Sequence, residues 1–264
     1  MQRRTITYIA LVLLVAILAG YVYIYQVGPF SDQLNTFLIA IADPFAALLA
    51  ALAVTAVLFC YSREEKIYPV WLYLTVAMWA WVAAETTFSI VNLVTGQVPG
   101  VGLPDVFWFI GYALFSMALR DQYQLVYQTR ISGWKLLAAW AAILALACAI
   151  LFIANFALGN NEVTFDNFVE YLYATVDFAL CVASIRLFMT FGAGQLSRPW
   201  IGLFVMGISD TMYALLTATG QYQASSDAGT WLSTFSDASY VAAYLLLGLG
   251  FLMQYLLLRL GPEA

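Results

Sequence analysis

The chain has 264 residues, of which 64% are hydrophobic and only 9% are charged, whereas soluble domains carry about 25% charged residues. This composition excludes a soluble domain and indicates an integral membrane protein with a net charge of −5. Because the chain has no histidine, haem and zinc sites of the common kinds are not expected. Its three cysteines, Cys60, Cys148 and Cys181, form an odd set without CxxC spacing and are expected to be packing residues.

Eight apolar stretches are long enough to cross about 30 Å of hydrocarbon. In chain order, the predicted spans are 6–26, 38–60, 69–94, 105–127, 134–157, 167–190, 199–219 and 236–259. The expected fold is therefore all-α, with eight transmembrane helices. The basic segment Met1 to Arg4 resembles the start of a signal peptide, but the apolar run that follows exceeds the usual length of roughly 7–15 residues. We expect this first span to remain as a helix.

Charged residues sort to two sides of the predicted bundle. All ten Lys and Arg residues lie near span ends that face one side, whereas the loops on the other side carry only acids, namely Asp32, Glu162, Asp166 and Asp227. By the positive-inside rule, the basic side faces the cytoplasm. We therefore expect both termini in the cytoplasm and a multi-pass protein of the cell (inner) membrane.

Two parts of the chain resemble each other. The third span and its loop contain Glu85-Thr86-Thr87-Phe88, Thr95-Gly96-Gln97, Pro104-Asp105 and Gly111-Tyr112, and the seventh span and its loop contain Asp210-Thr211-Met212-Tyr213, Thr219-Gly220-Gln221, Ser236-Asp237 and Ala243-Tyr244. In both copies, Asp precedes Tyr by seven positions. The pattern predicts two parallel four-helix repeats in one membrane domain, residues 1–130 and 131–264, related by a pseudo-two-fold axis along the membrane normal.

Acidic residues inside the spans lead helix faces that also carry tyrosine, because positions i, i+3 or i+4 and i+7 share a face. An ionisable group in hydrocarbon costs at least a few kcal/mol unless it is compensated, so such a group indicates a functional site. The outer half of the predicted bundle offers no Lys or Arg for this purpose. The candidate ligand-binding residues are Glu85, Asp105, Asp177, Asp210, Asp237, Tyr112, Tyr213 and Tyr244.

Each acid also has a structural interpretation. Asp43, Asp105 and Asp237 fit helix starts, where a carboxylate caps free N–H groups. The acids deeper inside the spans could instead be protonated, or hydrogen-bonded to tyrosine and serine neighbours, and tie helices together. If a ligand is bound, the interleaved aromatic residues favour an organic ammonium, through cation–π attraction, over a hard cation such as Ca²⁺. The sequence leaves a metal ion and a neutral ligand open.

Several chemistries can be set aside. A retinal Schiff base needs a buried lysine, and both lysines, Lys66 and Lys135, lie at the predicted cytoplasmic edge. The chain contains no GxSxG, GxxxxGK[ST] or HExxH motif. We therefore expect neither enzymatic activity nor a cofactor, and no nucleic-acid partner.

The segment from Glu85 through Pro99, with Pro104-Asp105-Val106-Phe107 and Gly111-Tyr112, and its echo from Asp210 through Tyr244, resembles the polytopic input modules found ahead of histidine kinases and diguanylate cyclases in bacteria. The resemblance implies an eight-helix sensory membrane domain in which Glu85, Asp105, Asp210 and Asp237 are the matching positions. Since the sequence ends at Ala264 without an output domain, a signalling output is expected from a cytoplasmic or membrane partner chain.

Three functions fit these features. The leading hypothesis is a non-enzymatic sensor that takes a cation or cationic small molecule from outside into an acidic, aromatic-lined cleft between the repeats. The second is a cation-coupled transporter, because parallel repeats with acids near the midplane also suit transport, although the cytoplasmic half has no matching string of acids. The third is a structural or accessory subunit of a larger membrane complex, which the short loops favour.

Overall fold

A computed structural model describes residues 2–96, 100–128, 130–158, 164–191, 198–218, 222 and 231–261. These residues form nine helices and no strand: α1 Gln2–Val27, α2 Asp32–Ala40, α3 Ala42–Leu58, α4 Tyr68–Thr95, α5 Leu103–Tyr127, α6 Gly133–Leu158, α7 Phe165–Phe191, α8 Arg198–Ala218 and α9 Trp231–Leu260. Each predicted span corresponds to one helix, except that the second is divided into α2 and α3 at Ile41.

Six helical segments are long and apolar enough to cross a membrane: Arg3–Val27, Asp32–Leu58, Tyr68–Thr95, Gly133–Ile150, Phe168–Leu187 and Trp231–Leu260. The chain is therefore an all-α, multi-pass membrane protein. That α5 and α8 also cross the membrane, which would give eight spans, stays a prediction, as does the cytoplasmic position of the termini.

Local sequence signals explain several helix ends. Ser31 begins α2 by accepting a hydrogen bond from the N–H of Leu34 at 3.4 Å. Pro69 and Pro104 lie in the first turns of α4 and α5, where the missing N–H of proline costs nothing. Helix α4 ends at Gly96, whose φ of +67° lies in the left-handed region that glycine adopts without strain.

The helices pack into one bundle around α9, which contacts α8, α3 and α1. Helices α1 and α9 are antiparallel, since Arg3 Nη1 donates to the Gly261 carbonyl at 3.2 Å while the Tyr25 hydroxyl donates to Asp237 at 2.8 Å. We call the end of the bundle at Arg3 and Gly261 the basic end, and the end at Tyr25 and Asp237 the acidic end. Helix α6 packs mainly on α7, and α5 touches α7 only along a short stretch.

Small residues allow close helix packing at the centre. A Cβ atom on Gly248 of α9 would lie 3.3 Å from the Cα atom of Ala50 on α3, so these two helices approach almost backbone to backbone. Ala46, Ala47 and Ala51 of α3 are also buried. Such small-residue contacts replace the hydrophobic driving force that is missing between helices in lipid.

Two predicted loop acids lie in helices instead. Asp32 is in the first turn of α2, because the Ser31 cap starts this helix six residues before the predicted span. Asp166 is in the first turn of α7. Glu162 and Asp227 lie outside the described residues. The predicted repeats share one bundle, since α9 packs on α1 and α3, and their relationship by duplication stays a prediction.

Candidate functional site

A cavity of about 380 Å³ lies at the acidic end of the bundle, and the described residues of its wall come from every helix except α6. Seven carboxyl side chains line it: Asp43, Glu85, Asp105, Asp166, Glu170, Asp210 and Asp237. Eight aromatic side chains line it as well: Tyr21, Phe88, Trp108, Tyr112, Tyr173, Tyr213, Tyr222 and Tyr240. No Lys or Arg is among the described residues that line this cavity.

The structure brings all eight sequence-predicted site residues to this place. Six of them line the cavity: Glu85, Asp105, Asp210, Asp237, Tyr112 and Tyr213. The other two lie directly behind its wall, where Asp177 accepts a hydrogen bond from Tyr112 at 2.7 Å and Tyr244 donates to Glu85 at 2.6 Å. Their shared location is a structural finding, and their role in binding a ligand stays a prediction.

Glu85 of α4 is held by three neutral donors that all reach the same oxygen. Trp108 Nε1 donates to Oε1 at 3.0 Å, the Tyr240 hydroxyl at 2.9 Å and the Tyr244 hydroxyl at 2.6 Å. The side chain is only 3% exposed. The other oxygen, Oε2, accepts no hydrogen bond from the described residues, although the side chain lines the cavity. Glu85 therefore has one occupied oxygen and one that remains available to a ligand.

Asp177 of α7 and Asp210 of α8 form a carboxyl pair around one hydroxyl group. Tyr112 Oη lies 2.7 Å from Asp177 Oδ1 and 3.4 Å from Asp210 Oδ2. Because a hydroxyl group has one hydrogen, it can donate to only one of the two carboxyl groups at a time. Asp177 Oδ2 is buried without a hydrogen-bond partner among the described residues. A proton or a bound cation near this pair would relieve the repulsion between like charges.

Capping is confirmed for Asp105. Its Oδ2 accepts a hydrogen bond at 2.7 Å from the N–H of Gly102, the residue that precedes the first turn of α5, and so satisfies a free N–H group at the helix start. Its other oxygen, Oδ1, accepts from the Tyr173 hydroxyl of α7 at 2.7 Å. Asp105 therefore both caps its own helix and joins α5 to α7.

Capping is wrong for Asp237. Helix α9 begins at Trp231, so Asp237 lies inside the helix, where the backbone N–H groups are already bonded. Its carboxyl group instead accepts from the Tyr25 hydroxyl at 2.8 Å and from the Tyr222 hydroxyl at 3.0 Å. These tyrosines come from α1 and from the segment between α8 and α9.

Asp43 lies in the first turn of α3, which begins at Ala42, so its position agrees with the predicted helix start. Helix α2 runs almost directly into α3, since the N–H of Ile41 donates to the Phe37 carbonyl at 3.0 Å. Asp43 Oδ1 makes no capping bond, because it is buried without a partner among the described residues. Since Asp43 lines the cavity, it is a site residue that the sequence interpretation placed among the caps.

Sequence reasoning missed Tyr21, Tyr25 and Tyr222. Tyr21 and Tyr25 are four residues apart and share a face of α1, a spacing that could have shown them. Tyr222 lies outside any helix and offered no such signal. Burial and the neighbouring Asp237 raise the pKa of Tyr222 well above its usual value, so its hydroxyl group stays protonated and donates to that carboxyl group.

A layer of buried aromatic rings closes the cavity toward the basic end. The Trp81 ring lies 4.6 Å from Phe115 and meets Tyr112 and Tyr244 edge to face, at 5.3 and 5.9 Å between ring centres. Trp81, Phe115 and Tyr244 are almost completely buried. They lie one turn deeper than the cavity-lining residues of the same helices, and they form its floor.

The acids surround the cavity without converging on one point. Among the described residues, no group of three Cys, Asp or Glu side chains could hold a metal ion. The arrangement therefore does not resemble a Ca²⁺ site, which gathers six to eight oxygens around one centre.

Comparisons with protein-family models, curated proteins and solved structures found no match to this chain. The resemblance to bacterial sensory input modules therefore stays a prediction.

Proposed function

We propose that this chain is a membrane receptor of the sensory type that binds a cationic small molecule at its acidic end. The observation that supports this most is the set of seven carboxyl side chains around one cavity, with no Lys or Arg among the described lining residues. Uncompensated charge in a low-dielectric interior is costly. A cation that enters the cavity supplies the missing positive charge.

The aromatic lining favours an organic cation over a metal ion. Trp108, Tyr21 and Tyr240 belong to the same cavity wall as Glu85, and a cation over a ring face gains about 0.5–2 kcal/mol. A metal ion would need several oxygens at one point, and no group of three acids among the described residues provides them. An alkylammonium or quaternary ammonium group fits both the charge and the rings.

The ligand arrives from outside the cell in this proposal. The basic end of the bundle carries Arg3, Arg63 and Lys66, and the positive-inside rule places such an end in the cytoplasm of the cell membrane. The cavity then faces the opposite side. A receptor of this orientation reports an external cation to a partner at the cytoplasmic end.

The contact between α5 and α7 is the element that binding would change. At the cavity, Tyr173 donates to Asp105 and stacks on Phe109 at 4.8 Å, so these helices are joined where the acids lie. Toward the basic end they enclose a second cavity of about 240 Å³, which lies between Leu119 on α5 and Ala183 on α7. A cation that binds Asp105 competes with the tyrosine hydroxyl, and its differential affinity shifts the α5–α7 packing.

The aromatic floor favours binding over passage. Trp81, Phe115 and Tyr244 fill the core below the cavity, so a cation would have to displace packed rings to travel further. A cation-coupled transporter would need this layer to open during each cycle, whereas a receptor needs only the cavity above it.

The test is thermal unfolding of the purified full chain in nanodiscs with butylammonium, tetramethylammonium or Ca²⁺. An organic cation at 100 times its Kd stabilises the folded state by about 2.7 kcal/mol, so the melting temperature rises by several degrees. The double variant Glu85→Gln/Asp210→Asn should abolish the rise, whereas Asp32→Asn, at an exposed position away from the cavity, should keep it.

Other outcomes overturn the proposal in distinct ways. Equal shifts in the wild type, the double variant and Asp32→Asn would mean that the cation acts elsewhere. Cation flux into liposomes that disappears in Glu85→Gln would identify a transporter. Stable copurification with other membrane chains, together with no cation-dependent shift in the wild type, would identify an accessory subunit.

A further inference from the structure

The acids of the cavity divide into those whose oxygens are occupied and those whose oxygens are not. Asp105 and Asp237 accept hydrogen bonds from backbone or tyrosine donors. By contrast, Asp43 Oδ1 has no donor among the described residues, and Glu85 also has one oxygen without a donor. In α8, Asp210 shares the single hydroxyl group of Tyr112 with Asp177.

The unsatisfied oxygens belong to two different pairs of helices. Asp43 and Glu85 lie on α3 and α4, whereas Asp177 and Asp210 lie on α7 and α8. Asp43 Oδ1 and Asp177 Oδ2 are both buried without a partner among the described residues. Asp43, Glu85 and Asp210 line the cavity, and Asp177 lies directly behind Asp210, because both contact the hydroxyl group of Tyr112. We call Asp43 with Glu85 one pole, and Asp210 with Asp177 behind it the other. A buried carboxyl oxygen without a hydrogen-bond donor costs free energy until a donor arrives.

We infer that the cavity binds a linear diamine or polyamine, with one ammonium group at the Asp43–Glu85 pole and another at the Asp177–Asp210 pole. This inference rests on the proposed function and names its ligand class. A primary ammonium group carries three N–H donors, which matches a pole with two carboxyl groups. No group of three acids among the described residues could hold a single metal ion, which favours two separate positive charges over one compact cation.

The wall between the poles suits an alkyl chain. Ile39, Phe88, Val169 and Trp108 contribute apolar surface to the same cavity. Methylene groups that join two ammonium groups can pack against this surface and gain hydrophobic stabilisation in proportion to the buried area. The cavity volume of about 380 Å³ lies in the range of roughly 300–1,000 Å³ that is usual for small-molecule sites.

The test is calorimetric titration of amines into the full wild-type chain in nanodiscs of zwitterionic lipid. The probes are 1,4-diaminobutane, 1,5-diaminopentane and spermidine, each compared with butylamine and pentylamine. We expect a diamine to bind at least about tenfold more tightly than the monoamine of equal chain length, the gain from a second hydrogen-bonded charge. Affinity should also pass through a maximum as the diamine is lengthened from three to six carbons.

Two variants test the poles separately. Glu85→Gln and Asp210→Asn should each reduce diamine affinity about tenfold, to that of the monoamine, while monoamine affinity changes by less than about threefold because the other pole remains. Asp32→Asn should change neither. If either variant fails to fold, the chain-length series with wild-type protein still decides.

The results separate this inference from the function on which it rests. If monoamines or tetramethylammonium bind as tightly as diamines, and Glu85→Gln abolishes that binding, the two-pole site is wrong while the cation receptor stands. If no amine binds the wild-type protein, both are wrong. A diamine affinity that does not vary with chain length would also contradict the two-pole site.

Discussion

Gly111 of α5 lies directly against the indole ring of Trp81 on α4. A methyl group at Gly111 would overlap Nε1 and Cδ1 of that ring. Trp81 is only 2% exposed and is packed against Phe115 and Tyr244, so it has no free space to enter. We therefore expect Gly111→Ala to displace the indole and break its hydrogen bond to the Trp108 carbonyl, which measures 3.2 Å.

The magnitude follows from three contributions. Overpacking a core costs about 1–3 kcal/mol, and the loss of a buried hydrogen bond adds about 1 kcal/mol. The higher helix propensity of alanine offsets about 1 kcal/mol of this loss in unfolding free energy. The net loss of about 1–3 kcal/mol should lower the melting temperature by roughly 3–10 °C in a chain of this size.

The assay is thermal unfolding of the full chain in nanodiscs, followed by tryptophan emission, with Gly20→Ala as the matched control. A Cβ atom on Gly20 meets nothing within 4 Å, so this substitution should leave the melting temperature unchanged or slightly raised. Gly111→Ala should also weaken cation-dependent stabilisation, because Trp108 donates to Glu85. Equal melting temperatures for the two variants would refute the proposed close contact.

Three further predictions concern the tyrosines and the α5–α7 contact. Tyr240→Phe removes one of the three donors to the buried glutamate and should cost about 1.5–3 kcal/mol of unfolding free energy, whereas Tyr8→Phe, at a residue that is 67% exposed, should cost nothing measurable. Because the pKa of Tyr222 is raised in the folded chain, its contribution to stability is fully present below its unfolded pKa of about 10 and declines as the pH rises further. Tyr222→Phe should therefore make stability fall less between pH 9 and 11, and an unchanged slope would contradict this. Cysteines placed at Leu119 and Ala183, which line the second cavity, should cross-link at a different rate when the cation is bound, and an equal rate would exclude movement there.

The helices could be predicted well because hydrocarbon thickness sets a minimum apolar length, and the eight spans correspond to the observed helices. The errors have a common cause, since hydropathy detects membrane crossing and not helix length. Helix α9 begins at Trp231, five residues before the predicted span, because Ser233, Thr234 and Ser236 lower the hydropathy of its first turns. Because the predicted span began at residue 236, Asp237 was interpreted as a cap at a helix start.

The acids of the site could be predicted because charge stands out against apolar surroundings. The hydrogen-bond donors to these acids could not be predicted, because a hydrogen bond between residues distant in sequence depends on which helices are neighbours. Tyr25 and Asp237 are 212 positions apart, and nothing in the sequence indicated that α1 packs on α9. Asp43 was interpreted as a cap because the continuity of α2 with α3 depends on backbone geometry at Ile41.

The chemistry of the donors explains how the fold can keep so many acids together without cancelling their charge. Glu85 accepts from tyrosine hydroxyls and an indole N–H, Asp237 from two tyrosine hydroxyls, and Asp105 from a backbone N–H and a tyrosine hydroxyl. All of these donors are neutral, so they orient the carboxyl groups and satisfy part of their hydrogen-bonding capacity without cancelling their charge. Lysine or arginine in these places would have cancelled the negative charge on which the proposed attraction for an external cation depends. The use of tyrosine thus links the stability of the cavity wall to its proposed selectivity for positive charge.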